Sequence, residues 1–279
     1  MTASTETIPN RIGFRAGLTH TGVITKRNLL RNIRLPQLVV FATIQPVMFL
    51  LLFNYVFGGA LTTGVAGASG DYINWLIPGI LVQTAVFGAA QTSLGLTEDL
   101  AAGVIDRFRS LPMARSAVLT GRTFADLTRN AFVNTLMLLV GFLLGWRFDQ
   151  GFAKMALGVA LVLLFGYAMS WLMGTIGLAV KNPEAAQTAG FLPIFPLVFA
   201  SSVFVPTQTM PSWLQGFAEN QPITVLTNAA RSLMINEQAL APLGLSDTGT
   251  LILQSLGWIA VLLLIFVPLA IRQYRRAVG

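Results

Sequence analysis

The sequence predicts an all-α integral membrane protein with six membrane-spanning helices. Of 279 residues, 54% are hydrophobic and only 10% charged, with a mean hydropathy of +0.69. A soluble globular domain carries roughly 25% charged residues, so this composition cannot cover a water-facing surface. The charges also leave long gaps, with none between Arg34 and Asp71 and none between Asp71 and Glu98. Finally, the 18 basic residues, set against 11 acids, are spread very unevenly along the chain. Length alone suggests one or two domains, but the hydrophobicity points to one membrane domain.

Residues 1–10 are Thr/Ser-rich and read as a disordered N-terminus. Residues 11–35 read as an amphipathic helix on the cytosolic membrane surface. Arg27, Arg31 and Arg34 recur at helical spacing, while Leu29, Leu30 and Ile33 cluster on another face. Such a helix either anchors the topology or docks a partner, its arginines turned toward lipid phosphates. The membrane domain then occupies 36–279. A crossing helix needs about 20 apolar residues for a hydrocarbon core of about 30 Å, which places spans at 37–58, 72–97, 119–145, 155–180, 188–206 and 250–271. The third carries Arg122, Asp126 and Arg129 in its first turns and reads as a long helix emerging into the cytosol. Helices are the expected form because each span must satisfy its backbone polar groups internally. The alternating pattern of an outer-membrane barrel is absent.

With both termini inside, fifteen of the 18 basic residues and six of the 11 acids share one side, a net +9. Arg147, Lys154 and Arg231 remain outside with five acids, a net −2. This is the asymmetry of the positive-inside rule, so topology accounts for the basic excess and no nucleic-acid partner is needed. The expected location is the plasma membrane, multi-pass, with both termini cytoplasmic.

Two segments are not spans. The loop 98–118 leaves the membrane yet holds Val104, Ile105, Phe108 and Leu111; Pro112 should end a short helix at Leu111. A helix carrying Asp106, Arg107, Phe108 and Arg109 can present charge and an aromatic knob to another protein, or be an ordinary charged loop. The segment 207–247 holds Pro211, Pro222 and Pro242 after a fifth span broken by Pro193 and Pro196. Short outer helices that re-enter or lie on the leaflet fit it, with Trp213 as an interfacial anchor. Simple kinking of the helices is the alternative.

The chemistry is mostly a list of exclusions. No cysteine is present, which removes disulfides and thiolate chemistry, and a single histidine leaves little for a His-ligated metal. The three lysines are followed by Arg27, Met155 and Asn182, so none can be the lysine of a phosphate-binding loop, which needs Ser or Thr next. No catalytic elbow, carboxylate pair or histidine cluster appears. The span centres hold amides, among them Gln45, Asn54, Gln83, Gln91 and Asn134, which either bond a neighbouring helix or line a cavity. Asp106 and Asp126 stand beside arginines and read as ion-paired structural residues.

The string Glu98…Gly103-Val104-Ile105-Asp106-Arg107-Phe108-Arg109-Ser110-Leu111-Pro112-Met113, followed by Gly121-Arg122 and Asp126, resembles the cytosolic loop of ABC-2-type export permeases. It looks most like the daunorubicin-resistance branch, which exports drugs and lipids. A second patch agrees: Asn182-Pro183-Glu184-Ala185-Ala186, Pro193, Ser201 to Pro206, Met210 to Leu214 and Asn220 to Ile223. Trp75 with Pro78-Gly79-Ile80 is a third, and the likeness runs from about residue 25 to the C-terminus. Ser202-Val203 stands where many relatives have Ser-Gly.

This resemblance implies six helices per subunit in the fold of type V exporters. It implies a transporter of two permease subunits, identical or not, with two ATP-binding cassette ATPase subunits beneath. No cofactor would bind this chain; ATP and Mg²⁺ would sit on the partner ATPase. The helix around 100–112 would be the coupling helix, with Glu98, Asp106, Arg107, Phe108, Arg109, Leu111 and Pro112 as coupling residues and Arg27, Arg31 and Arg34 on the interface helix. The second and fifth helices would line the route, making Gln83, Gln91, Pro193, Phe195 and Phe199 candidate pathway residues, and Asn54 of the first span joins them as one of the amides that could line a cavity. The implied function is ATP-driven export of a lipophilic or amphiphilic molecule. Alternatives are export of a lipid-linked polysaccharide and, from another class, an ion-gradient-driven carrier.

Overall fold

A computed structural model describes residues 14–34, 36–59, 72–104, 115–180, 182–236, 240, 245 and 247–278. The expected disorder at 1–10, the stretch 105–114 with Asp106, Arg107, Phe108, Arg109, Leu111 and Pro112, and parts of 237–246 lie outside them. Among the described residues there are nine α-helices and no strand. They are α1 (Phe14–Arg34), α2 (Pro36–Leu51), α3 (Tyr72–Ala101), α4 (Arg115–Leu143), α5 (Phe152–Val180), α6 (Pro183–Phe199), α7 (Ser212–Asn220), α8 (Pro222–Met234) and α9 (Thr248–Val278).

The bundle is organised around α3. Its 30 residues span about 45 Å at 1.5 Å per residue, longer than the hydrocarbon core. It is buried along 89% of its most apolar window. The helix continues past Glu98 and Asp99 to Ala101, and Gly103 follows with φ 63°, the left-handed conformation that glycine adopts without a side-chain penalty. Alongside it, α5 presents Gly166 to Ala85 and Gly177 to the Ser93 backbone. Small residues at such a seam let two helix backbones approach closely, which is how packing is gained where lipid removes the hydrophobic drive.

Among the described residues, four helical stretches are long and apolar enough to cross a membrane: Val40–Phe57, Tyr72–Ala101, Phe152–Val180 and Thr248–Arg276. The expected third and fifth spans fold as α4 and α6, which are not among these four. α4 carries Arg115, Arg122, Asp126 and Arg129, and α6 is 17 residues long with Pro193 and Pro196 inside it. The first span is not a uniform helix. Pro46 interrupts its hydrogen-bond ladder, and Leu52–Phe57 continues α2 as a π-helix.

Among its described residues the proline-rich segment holds two unlike α-helices. α8 begins on Pro222, whose missing N–H costs nothing at a first helical turn. Eleven of its thirteen residues are buried, so it packs into the bundle instead of lying on its surface. α7 instead exposes Trp213 (79%) and Phe217 (52%), the pattern of an interfacial element. α9 is capped by Asp247, which accepts from the Thr250 N–H at 3.2 Å. Hydrogen bonds from the Thr250 hydroxyl and backbone hold that carboxyl below its ordinary value.

Candidate functional site

Three sets of charged and polar side chains converge on α3. The first is at its C-terminal end. Arg31 reaches Glu98 Oε2 at 2.8 Å and Arg27 reaches Asp99 Oδ1 at 3.4 Å. The two arginines thus turn onto carboxylates of α3 and not toward lipid phosphates, while Arg34 is exposed. Ile24 is buried against Gly121 of α4, and the Thr25 hydroxyl donates to the Gly121 carbonyl at 3.2 Å. Leu30 and Ile33 face outward. α1 is therefore seated on α3 and α4 by one face and leaves an apolar strip free. The Arg31–Glu98 pair is more than a third exposed on both sides, so it sets register more than stability. Arg31→Ala and Glu98→Ala should each cost about 0.2–1 kcal/mol. The double variant should cost no more than the worse single one; additive losses in unfolding of the detergent-purified protein would remove the contact from solution.

The second set lies further along α3, where α4 crosses it. Asp126 takes Arg122 Nε at 3.3 Å on Oδ2 and Arg129 at 3.5 Å on Oδ1, and Thr92 donates its hydroxyl to Oδ2 at 2.7 Å. The guanidiniums also donate to α3 carbonyls, Arg122 to Gln91 O at 3.3 Å and Arg129 to Gly88 O at 2.8 Å. Accepting carbonyls in mid-helix are reachable because α3 is notched there. A Cβ on Gly88 would overlap the Asn130 amide, and one on Gly95 the Arg122 guanidinium. The expectation that Asp126 is an ion-paired structural residue holds; the arginines that pair with it are also the bolts between α4 and α3.

Two cavities open beside these bolts. One of about 40 Å³ is lined by Gln45, Gln83, Phe87, Gln91, Asn130 and Phe191. The other, of about 220 Å³, holds Gln91 with Glu98, Arg31, Arg122 and Arg129. Gln83 and Gln91 are thereby brought together, and Gln83 Oε1 accepts no hydrogen bond from a described residue. Asn54, half-buried in the π-helix, is not among the residues lining either cavity. Outside them, a groove of about 780 Å³ runs between α1, α2 and α4, lined by Leu29, Ile33, Ile44, Met48, Phe132 and Leu136 among others.

Phe195 and Phe199 belong to an aromatic ladder. Phe87 meets Phe195 edge-on at 5.3 Å, and Phe195 stacks on Phe199 at 5.8 Å. Phe199 meets Phe204 at 5.4 Å, Phe204 stacks on Phe53 at 4.1 Å, and Phe53 meets Phe57 at 5.3 Å. Pro193 is half-buried on the same helix. Sequence reasoning missed most of this ladder, although the signal was present. Phe49, Phe53 and Phe57 in the first span, and Phe191, Phe195 and Phe199 in the fifth, each recur every four residues and so share one helix face.

The third set gathers at the N-terminal end of α3 around Arg231 of α8, fully buried. Its Nε donates to Trp75 O at 3.1 Å, one terminal nitrogen to Ser202 Oγ at 3.1 Å and Asn228 Oδ1 at 3.3 Å, and the other to Val203 O at 2.9 Å. The guanidinium lies 3.5 Å from the centre of the Trp75 ring. Nearby, Tyr72 donates its hydroxyl to Phe204 O at 2.8 Å. Sequence reasoning counted Arg231 only as a charge on the outer side. Its signal was isolation, since no other charge stands between Glu219 and Glu237.

The sequence is similar to known proteins over most of its length. The family described as ABC-2 type transporter matches residues 19–235. The chain is 32% identical over 240 residues to the daunorubicin resistance ABC transporter permease protein DrrB1 of Streptomyces coeruleorubidus, covering 86% of this chain and 80% of that one. It is 27% identical over 264 residues to the DrrC permease of Mycobacterium tuberculosis, named for doxorubicin resistance, covering 94% and 91%. A transport permease of Cyanophora paradoxa, ycf38, is 28% identical over 214 residues, covering 76% and 72%.

Proposed function

The chain belongs to the ABC-2 type transporter family, and from that premise we propose that it is the transmembrane permease subunit of an exporter for lipophilic or amphiphilic molecules. It works as one of two permease subunits above two ATP-binding cassette ATPases, which hold the ATP and Mg²⁺. Six helices cross the membrane in this reading: α2, α3, α4, α5, α6 and α9, with both termini cytoplasmic. In this reading α6 crosses although it is short, and α4 crosses although it is charged, because Arg122, Asp126 and Arg129 pair with one another and with α3 carbonyls inside the protein. α7 and α8 close the outer end.

The observation that carries this reading is the double ion pair from Arg27 and Arg31 to Asp99 and Glu98. It joins an exposed basic helix to the end of α3, the most buried of the four long apolar helices, shortly before the segment 105–114. A cytosolic ATPase pressing on α1 and on Asp106, Arg107, Phe108, Arg109, Leu111 and Pro112 would reach α3 directly. The Arg122 and Arg129 bolts then carry α4 along with it. Nucleotide can shift the bundle only if these contacts differ between its states, since a ligand moves an equilibrium by its differential affinity alone. The substrate class is supported by the aromatic ladder through Phe195 and Phe199, by the apolar groove, and by relatives named for resistance to daunorubicin and doxorubicin. Gln83, Gln91, Pro193 and Asn54 would border the route as polar or kinked positions.

The test is reconstitution with an ATP-binding cassette ATPase that copurifies with it. Phe108→Ala and Arg109→Ala should leave insertion and ATP hydrolysis in place. They should lower ATP-driven dye export by roughly 5–150-fold, the span of an ordinary coupling free energy. Export at the unsubstituted rate in both variants would remove the segment from the coupling path. Vectorial export by the chain without any ATPase would instead favour an ion-gradient carrier.

A further inference from the structure

At the end of α3 far from Glu98, three pieces of chain remote in sequence meet on one side chain. They are the first turn of α3 at Trp75, the turn 200–205 after α6, and α8. We propose that Arg231 is the positioning residue of the outer seal, clamping these three pieces into one body that stays closed throughout transport. The substrate then leaves along other faces, not through this seam. The inference rests on the export reading above.

The geometry favours a clamp over ordinary packing. Arg231 bonds to four acceptors, of which two are main-chain carbonyls belonging to different elements, Trp75 O and Val203 O. A planar guanidinium with five fixed donors can hold such a set at once; a lysine, donating from a single point, cannot. Its flat face is occupied as well, by the Trp75 ring. The seam is closed by two more features: Gly79 lies against the Val203 backbone so tightly that a Cβ would overlap its carbonyl oxygen, and Gln221 donates to Leu197 O at 2.9 Å and to Ala200 O. Opening the seam would strand a buried cation and several buried carbonyls together, and unpaired buried polar groups are what folded chains avoid.

The chain has no cysteine, so single thiols report cleanly. Ser201→Cys places one in the turn and Ser232→Cys one on α8, at positions that are 1% and 2% exposed. In proteoliposomes with the ATPase, neither thiol should react with a membrane-impermeant maleimide, at rest or during ATP turnover. Adding Arg231→Met should speed labelling at rest at least tenfold, with Arg231→Lys in between, in material that still assembles with its partner. Labelling that appears during turnover with Arg231 in place overturns the clamp, and so does an Arg231→Met protein that labels no faster. Should Arg231→Met fail to assemble, the turnover measurement on the two single thiols decides alone. Absence of ATP-driven export in the unsubstituted complex would count against the export reading, whereas the resting comparison would still judge the clamp.

Discussion

Replacing Asp126 by Asn should destabilise this protein by about 3–5 kcal/mol, the cost of breaking a buried ion pair by removing one partner. The substitution is nearly isosteric, so no cavity opens and the loss is electrostatic. Arg122 and Arg129 have side chains only 11% and 10% exposed, and Asp126 is the carboxylate that pairs with both. With an amide in its place, two neighbouring guanidiniums repel each other, and the Thr92 hydroxyl loses a charged acceptor. The effect should appear as a lower unfolding midpoint of the detergent-purified protein and as weaker ATP-driven export, because the α4–α3 bolts slacken together. The control is the pair Asp126→Asn with Arg129→Met, which removes one stranded cation and should recover a large part of the loss. A single variant within about 1 kcal/mol of the parent would show that solvent already shields the trio.

Gly79→Ala should cost about 1–3 kcal/mol through overpacking, an unusually large effect for one methyl group. The added Cβ would overlap Val203 O and stand 3.1 Å from the Val203 Cα and carbonyl carbon. Those are backbone atoms of a turn that Arg231 and Tyr72 tie down by hydrogen bonds, so they cannot swing aside as a side-chain tip would. The strain therefore falls on the bond from Arg231 to Val203 O. Gly216→Ala is the matched control. It lies within α7, and a methyl group added there would meet nothing within 4 Å, so removing this helical glycine should gain up to about 1 kcal/mol. Equal and small effects for the two alanines would mean that α3 does not approach the turn this closely.

Much of the helix plan was legible from composition. The uncharged stretch expected at 72–97 is α3, that at 155–180 is α5, and that at 250–271 is α9. The prolines at 193 and 196 marked a broken fifth span, and those at 211 and 222 marked short helices after it, where α6, α7 and α8 lie. The candidate site was legible only in part. Gln83 and Gln91 do share a cavity wall, yet Asn54, another amide in equally apolar sequence surroundings, does not join them. Regular spacing of Phe49, Phe53 and Phe57 marks a face, but nothing in that spacing names Phe204 as its partner.

The sequence by itself determined that this is a helical membrane chain, roughly where its helices run, and that it lacks the lysine loop of an ATP-hydrolysing subunit. These depend on sums over about 20 neighbouring residues, because partition into lipid and helix formation are set locally. Only the tertiary structure decided that Arg31 pairs with Glu98 across 67 residues, that Arg231 reaches Trp75 across 156, and that glycines in α3 make room for side chains of α4. Such contacts depend on which helix faces meet and how closely, and a one-dimensional pattern of residue types carries no information about distance between faces.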